Sequence, residues 1–136
     1  MSLFASPRFL RNVLLIDATT GLGCGALQLC ATAWLTSLTG LPSLLLQESG
    51  MFLLLLGVFL LWLSLRNPIP VAGVWCLVVG NLAWVAACVV LMVGPWIEST
   101  TWGLAYLGLQ AVTVLLLAEL QWMGLRQSRP SRLATA

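Results

Sequence analysis

Residues 101–126 read TWGLAYLGLQAVTVLLLAELQWMGLR, and this stretch decides the fold. As a helix it is about 39 Å long, enough to cross a hydrocarbon core of about 30 Å. It nevertheless carries Gln110, Glu119 and Gln121. A carboxylate inside an apolar span costs about 2.5–3.5 kcal/mol on insertion scales, so Glu119 requires either a partner or a function.

The composition of the whole chain indicates an integral membrane protein. Its 136 residues are 60% hydrophobic and only 7% charged, with a mean hydropathy of +1.02, whereas soluble domains carry about 25% charged residues. We therefore expect an all-α, polytopic membrane protein, built as one antiparallel bundle of four transmembrane helices. The net charge of +2 is too small to indicate nucleic-acid binding.

Prolines and glycines divide the chain into these spans. We expect the spans at about residues 12–37, 47–65, 71–93 and 101–125, followed by a flexible cytoplasmic tail at 127–136. The connection RNPIP after the second span holds two prolines that prevent helix continuation. The first apolar run has no cleavage site after a short core, so it is expected to be a span and not a removed signal.

The arginines indicate how the chain is threaded. The two connections without arginine hold Glu48 and Glu98, and every basic residue is predicted on the opposite side of the membrane. The positive-inside rule then places both termini in the cytoplasm. The six basic residues are Arg8, Arg11, Arg66, Arg126, Arg129 and Arg132.

Two spans end on the same pattern, W-x-x-L-R, at Trp62 to Arg66 and at Trp122 to Arg126. One interpretation is a duplicated hairpin related by an axis along the membrane normal. The other is the general preference of inward-running spans for Trp and then Arg at the cytoplasmic interface. The second is favoured because spans one and three show no matching pattern.

The cysteines and the absence of histidine argue against a metal or cofactor site. Histidine is the commonest ligand of zinc and haem, and the chain has none. The four cysteines form no CxxC pair and all lie in apolar stretches, where small packing residues are expected. They are Cys24, Cys30, Cys76 and Cys88. We expect no metal, no cofactor and no catalytic activity, since no nucleophile–base pair is present.

A candidate polar site is predicted near the cytoplasmic interface. Asp17 and Glu119 lie at similar depths, about 8–10 Å inside their spans. Gln28 shares the face of Asp17, eleven residues away, whereas Gln110 and Glu119 point to opposite faces of span four. Span four is therefore expected to be polar on two sides and to lie between neighbours. The predicted site comprises Asp17, Glu119, Arg11, Arg66 and Arg126.

Four amide side chains are predicted to join the spans by hydrogen bonds. Asn81 is the deepest of them and must find partners, because an unpaired amide in hydrocarbon costs several kcal/mol. The alternative is contact with a substrate or cofactor. The four residues are Gln28, Asn81, Gln110 and Gln121.

Three interpretations of the two carboxylates remain open. In the first, Asp17 and Glu119 pair with the boundary arginines and serve the structure. In the second, one carboxylate alternately binds a proton and a substrate. In the third, they contact a partner subunit or a lipid headgroup. The first and third predict a non-catalytic membrane protein that acts through helix packing, as an accessory subunit of a larger complex or as a homo-oligomer. The second predicts a small proton-coupled transporter of a cationic or lipophilic molecule.

The chain resembles small bacterial four-span membrane proteins of unknown function. The stretches that carry the resemblance are SPRFLRNVLLIDA (6–18), TGLP (39–42), GNLAWV (80–85) and AELQWMGLR (118–126). The resemblance implies a location in the bacterial inner membrane and brings no activity or assigned site.

Small multidrug-resistance transporters offer an analogy, since they also have four spans and an acidic residue in the first. The present chain departs from their pattern in its one-sided arginines, in the shallow position of Asp17 and in the second carboxylate, Glu119.

Overall fold

The structure, a computed structural model, describes residues 7–127, and the regular elements over that range are all helices joined by short connections. The helices are α1 (Pro7–Cys30), α2 (Thr32–Thr39), α3 (Ser43–Ser64), α4 (Val71–Val93) and α5 (Thr101–Gln127). The four longer helices are long and apolar enough to cross a membrane, as a multi-pass membrane protein requires. The arginines at 129 and 132 and most of the predicted tail lie outside the described residues.

The helix bounds lie close to the predicted spans except at the start of α1 and around the first connection. Helix α4 has the predicted bounds, and α3 begins four residues earlier than predicted, directly after Pro42. The first span was expected at 12–37, but α1 begins at Pro7 and ends at Cys30. The Thr32 hydroxyl donates to the carbonyls of Gln28 at 2.6 Å and Leu29 at 3.2 Å. Such bonds compete with the helical backbone ladder, but Thr19 and Thr20 form the same bonds within α1 without a break, so the threonine alone does not explain this one.

Helices α1 and α3 pack closely because glycine removes side chains from their interface. A Cβ atom added at Gly25 would lie 2.8 Å from the Gly50 carbonyl oxygen, and one added at Gly57 would lie 2.5 Å from Cγ of Leu22. Gly21 and Gly25 form a G-x-x-x-G pattern, and a Cβ atom added at Gly21 would lie 3.8 Å from the Leu53 carbonyl oxygen. Small residues at such positions allow membrane helices to approach each other.

Two apolar clusters fill the two ends of the helix assembly. The cluster near the α3–α4 connection contains Leu10, Leu14, Ala18, Leu60, Leu63, Val74, Leu77 and Leu125. The cluster near α2 contains Leu35, Leu41, Leu46, Cys88, Leu107 and Ala111. Helix α4 packs along α5, and α5 also contacts α1. The middle of the assembly, between the two clusters, contains the polar side chains described below.

The short helix α2 is tied to the start of α5. The Thr100 amide donates to the Thr39 carbonyl at 3.0 Å, and its hydroxyl donates to the Leu38 carbonyl at 2.7 Å. Gly103 faces the Thr39 carbonyl so closely that no Cβ would fit there. Gly40 follows α2 with φ 72°, in the left-handed region that glycine adopts without strain. These contacts place α5 against the first half of the chain.

Candidate functional site

Asp17 lies in the interior, held by two amides from different helices. Gln121 of α5 donates to Oδ2 of Asp17 at 2.5 Å, and Asn81 of α4 donates to the same oxygen at 3.4 Å. Asn81 also donates to Oε1 of Gln121 at 3.1 Å, which closes the triangle. The exposed fractions are 7% for Asp17, 4% for Asn81 and 0% for Gln121. Within residues 7–127, Oδ1 of Asp17 accepts no hydrogen bond.

Helical periodicity explains why these side chains meet. Eleven residues make about three turns, so Asp17 and Gln28 share one face of α1, and Gln110 and Gln121 share one face of α5. Both faces are directed toward the interior, where all four side chains form hydrogen bonds. Asn81 is the residue of α4 that reaches both helices at once.

The structure separates Glu119 from Asp17, which corrects the predicted carboxylate cluster. Glu119 is exposed on the outer face of α5, whereas Gln121, two residues later, is completely buried. Two residues correspond to a rotation of about 200°, so only one of these side chains can face the interior. Helix α5 is consequently polar on its inner face and on its outer face, and Glu119 is not enclosed between neighbouring helices.

The arginines also lie apart from the carboxylates. The Arg11 guanidinium donates to the Arg66 carbonyl at 3.2 Å. The guanidinium carbon of Arg66 lies 4.3 Å from the centroid of the Trp62 ring, and that of Arg126 lies 4.5 Å from Trp122. In the described part of the chain, no arginine forms an ion pair with Asp17 or Glu119.

A second polar group lies about three helical turns along α1 from Asp17. Gln28 donates to the Tyr106 hydroxyl at 2.6 Å and accepts from the Ser49 hydroxyl at 2.8 Å. Gln110 accepts from the indole nitrogen of Trp84 at 3.1 Å. Within this group the sulfur of Cys24 lies 3.8 Å from Tyr106, Gln28 and Gln110. Every long helix contributes to this group.

A cavity of about 220 Å³ separates the two polar groups. Asp17 and Asn81 line one of its ends, and Tyr106, Gln110 and Trp84 line the other. Between these ends the wall is mainly leucine and glycine, with Thr20, Cys76 and Thr113 among them, and it is contributed by α1, α3, α4 and α5. Asp17 is the only ionisable carboxylate in this wall, and no arginine lines it.

A smaller cavity of about 110 Å³ lies beyond the second polar group. It is lined by Gln28 and Ser49 and shares Trp84, Tyr106 and Gln110 with the larger cavity. These three shared side chains therefore form a partition between the two spaces. The hydrogen bond from Trp84 to Gln110 is part of this partition.

Sequence reasoning missed Tyr106, Ser49 and Trp84 as polar partners. A signal for Tyr106 was present: it precedes Gln110 by four residues, a spacing that places both on one helix face. Trp84 lies deep in its span, unlike the interfacial tryptophans, and its bond to Gln110 accounts for that depth. For Ser49 no signal exists in the sequence, because its partner Gln28 comes from another helix.

The donor set of this site suits organic polar groups better than a metal ion. Among the residues that the structure describes, no three His, Cys, Asp or Glu side chains converge. An apolar cavity with one carboxylate and several amides at its ends can hold a small molecule with a donor at one end. No family model, no curated protein and no solved structure matches this chain.

Proposed function

We propose that this chain binds a small, largely apolar molecule in its central cavity and that Asp17 holds the cationic or hydrogen-bond-donating group of that molecule. The observation that carries the proposal is the position of Asp17 in the wall of a 220 Å³ cavity that no arginine lines. Ligand sites are typically mostly apolar, with a few placed polar groups that determine orientation. The activity is binding and carrying, without catalysis.

The charge of Asp17 favours a cation over an anion. Burying a carboxylate is expensive unless an opposite charge or several donors compensate it. Asn81 and Gln121 supply two donors to one oxygen, and Oδ1 has no donor from residues 7–127. Either a proton or a bound ammonium group neutralises the carboxylate of Asp17, and the two exclude each other. This exchange is what a proton-coupled carrier requires, because binding of the cation releases the proton.

The proposal includes an orientation in a bacterial inner membrane. Helices α1, α3, α4 and α5 would alternate in direction as an antiparallel bundle, with both termini in the cytoplasm. The support is the position of Arg11 and Arg66, which meet at the α3–α4 end, together with the positive-inside rule. In this orientation Asp17 lies nearer the cytoplasm, and the cavity of Gln28 and Ser49 lies nearer the outer side.

The binding proposal is tested with 2-(4-fluorophenyl)ethylamine and the purified protein in nanodiscs of neutral phosphatidylcholine. We expect Asp17→Asn to weaken binding about 10- to 100-fold, since a hydrogen bond to a charged group contributes about 1.5–3 kcal/mol. Asparagine retains an acceptor for Gln121 and Asn81, so folding should survive. Titration calorimetry in two buffers of different ionisation enthalpy reports the affinity and the protons released.

Glu119→Gln is the matched control for this experiment, because Glu119 is exposed and does not line the cavity. It should leave both the affinity and the proton release unchanged. The uncharged analogue 1-ethyl-4-fluorobenzene should bind the native protein and Asp17→Asn equally. Equal amine affinity for the native protein and a folded Asp17→Asn variant would rule out the proposed role of Asp17.

A second function, that of an accessory subunit, is favoured by the exposure of Glu119. Its neighbours on the outer face of α5 are Leu115, Leu116, Trp122 and Met123, all exposed. A carboxylate on an apolar, membrane-facing surface is stabilised by contact with another subunit. Native mass spectrometry of the same preparations tests this function: a defined assembly that Glu119→Gln disperses supports it, and a monomeric mass for both forms contradicts it.

A further inference from the structure

The central cavity reaches the membrane-facing surface between α3 and α4. These helices are consecutive in the chain, yet they do not pack along their length as α1 does on α3 or α4 on α5. Two contacts between them bracket an opening. At one end Leu63 packs on Gly73, and at the other Phe52 stacks on Trp84. Eleven residues separate the two contacts on each helix, which corresponds to about 16 Å.

Residues at this opening line the cavity and are exposed on the outer surface at the same time. Phe52 is 51% exposed and also lines the cavity. Cys76 and Gly80, on the facing side of α4, are exposed cavity-lining residues too. A Cβ atom added at Gly80 would find no atom within 4 Å, so the space in front of this residue is open. The mouth of the cavity is therefore at the level of the apolar spans.

The ring pair at this mouth is placed to act as a movable barrier. The Phe52 and Trp84 rings are nearly parallel, with centroids 5.8 Å apart and planes inclined by 10°. Each ring comes from a different helix, and both contact the cavity. Separation of the two rings would widen the opening without breaking a backbone hydrogen bond.

The other edge of the cavity lies between α1 and α5, which pack on each other. Exposed Thr20 and Leu109 also line the cavity there. However, Gln121 bonds to Asp17 on one side of this edge, and Cys24 lies 3.8 Å from Tyr106 on the other. Helices α1 and α5 are therefore joined by polar contacts and by direct packing, whereas α3 and α4 do not pack along their length.

The size and wall of the cavity restrict the ligand class. An apolar cavity of about 150 Å³ accommodates benzene, so 220 Å³ suits one ring with a short chain. The wall is mostly apolar, and its single carboxylate is Asp17. A ring-sized lipophilic amine satisfies both requirements. Its neutral form, left after the ammonium group gives a proton to water, partitions into the hydrocarbon region of a bilayer and regains a proton from the carboxyl group of Asp17.

We infer that the ligand is a ring-sized lipophilic amine and that it enters from the hydrocarbon phase of the membrane, between α3 and α4, past the Phe52–Trp84 pair. This inference rests on the proposed function and adds the ligand class and the route of entry. The amino group of the bound ligand points toward Asp17, and the ring of the ligand lies between α3 and α4, which flank the opening.

The route is tested by exchange rates of 2-(4-fluorophenyl)ethylamine in the same nanodiscs, measured by ¹⁹F NMR. Phe52→Ala removes one ring of the barrier and should accelerate association about 2- to 10-fold, the range expected from the loss of one aromatic pair. Phe59→Ala is the matched control. Phe59 lies seven residues further on the same helix, stacks on Trp62 at 5.9 Å and does not line the cavity. It should leave the rate unchanged.

A second pair of variants acts in the opposite direction. Gly80→Leu places a side chain in the open space of the mouth and should slow association and dissociation together. Gly23→Leu is its control, because Gly23 is also exposed, also has no atom within 4 Å of an added Cβ, and does not line the cavity. Faster exchange in Phe52→Ala or slower exchange in Gly80→Leu, with both controls unchanged, supports entry between α3 and α4.

Other outcomes overturn the route without touching the binding proposal. If Phe52→Ala and Gly80→Leu both fold and neither changes the exchange rate, entry between α3 and α4 is ruled out. It is also ruled out if Thr20→Phe slows exchange and Gly80→Leu does not. The role of Asp17 is decided separately by the affinity of Asp17→Asn. Weak binding of the amine and tight binding of 1-ethyl-4-fluorobenzene by the native protein would overturn the ligand class.

Discussion

A shift of two residues along α5 decides whether a polar side chain faces the interior or the outside. Glu119 and Gln121 are both plausible partners of Asp17 by depth, and their sequence surroundings are equally apolar. The structure selects Gln121, which donates to Asp17 at 2.5 Å. The selection depends on which face of α5 meets α1, and that face is determined by packing across the whole helix.

Gln121→Leu tests the triangle of Asp17, Asn81 and Gln121. The substitution removes one donor from Asp17 and one acceptor from Asn81, so we expect a loss of about 1–2 kcal/mol in unfolding free energy, the upper range for hydrogen bonds within membranes. Unfolding by SDS in mixed micelles, followed by far-ultraviolet circular dichroism, measures it. Glu119→Leu, on the outer face, should cost nothing; equal losses in the two variants would contradict the interior role of Gln121.

The repeated W-x-x-L-R pattern has a local physical explanation. Four residues separate Trp62 from Arg66 and Trp122 from Arg126, a spacing that brings both side chains to one helix face. Each guanidinium lies over its own tryptophan ring, a favourable cation–π geometry. The pattern therefore needs no duplicated hairpin to explain it.

At the level of helices, the sequence predicts that a helix exists and how long it is better than it predicts where a helix is interrupted. Pro42 and the two prolines of the α3–α4 connection set the start of α3 and of α4, because proline cannot continue a helix. The break at Ala31 lacks any such marker. It is followed by a threonine that bonds backward to the carbonyls of α1, yet Thr19 and Thr20 form the same kind of bond inside α1 without interrupting it.

The α1–α3 interface depends on the absence of a side chain at Gly25. In Gly25→Ala the new Cβ would lie 2.8 Å from the Gly50 carbonyl oxygen, and overpacking of this kind costs about 1–3 kcal/mol. Gly23→Ala is the control, because its Cβ meets nothing within 4 Å, and alanine in place of glycine favours a helix by about 1 kcal/mol. SDS unfolding should therefore move in opposite directions for the two variants. A shared direction would contradict the close contact at Gly25.

The arrangement of the whole molecule contains information that no single helix carries. Periodicity alone placed Asp17 and Gln28 on one face and Gln110 and Gln121 on another. The central cavity arises only when α1, α3, α4 and α5 are arranged around it. The lack of packing along the length of α3 and α4 likewise depends on the arrangement of all four helices. For this reason the sequence could indicate the polar residues of the site but not the cavity or its mouth.

The orientation of the molecule determines which side of the membrane Asp17 serves. The described arginines Arg11 and Arg66 meet at the α3–α4 end, while Glu48 and Glu98 are exposed in or near the other connections. The positive-inside rule therefore predicts a cytoplasmic α3–α4 connection. A reporter that is active only in the cytoplasm, fused after Arg132, should be active, and a fusion at the connection before α5 should be silent. Activity in the opposite pattern would place Asp17 near the outer surface and reverse the direction of proton exchange proposed for it.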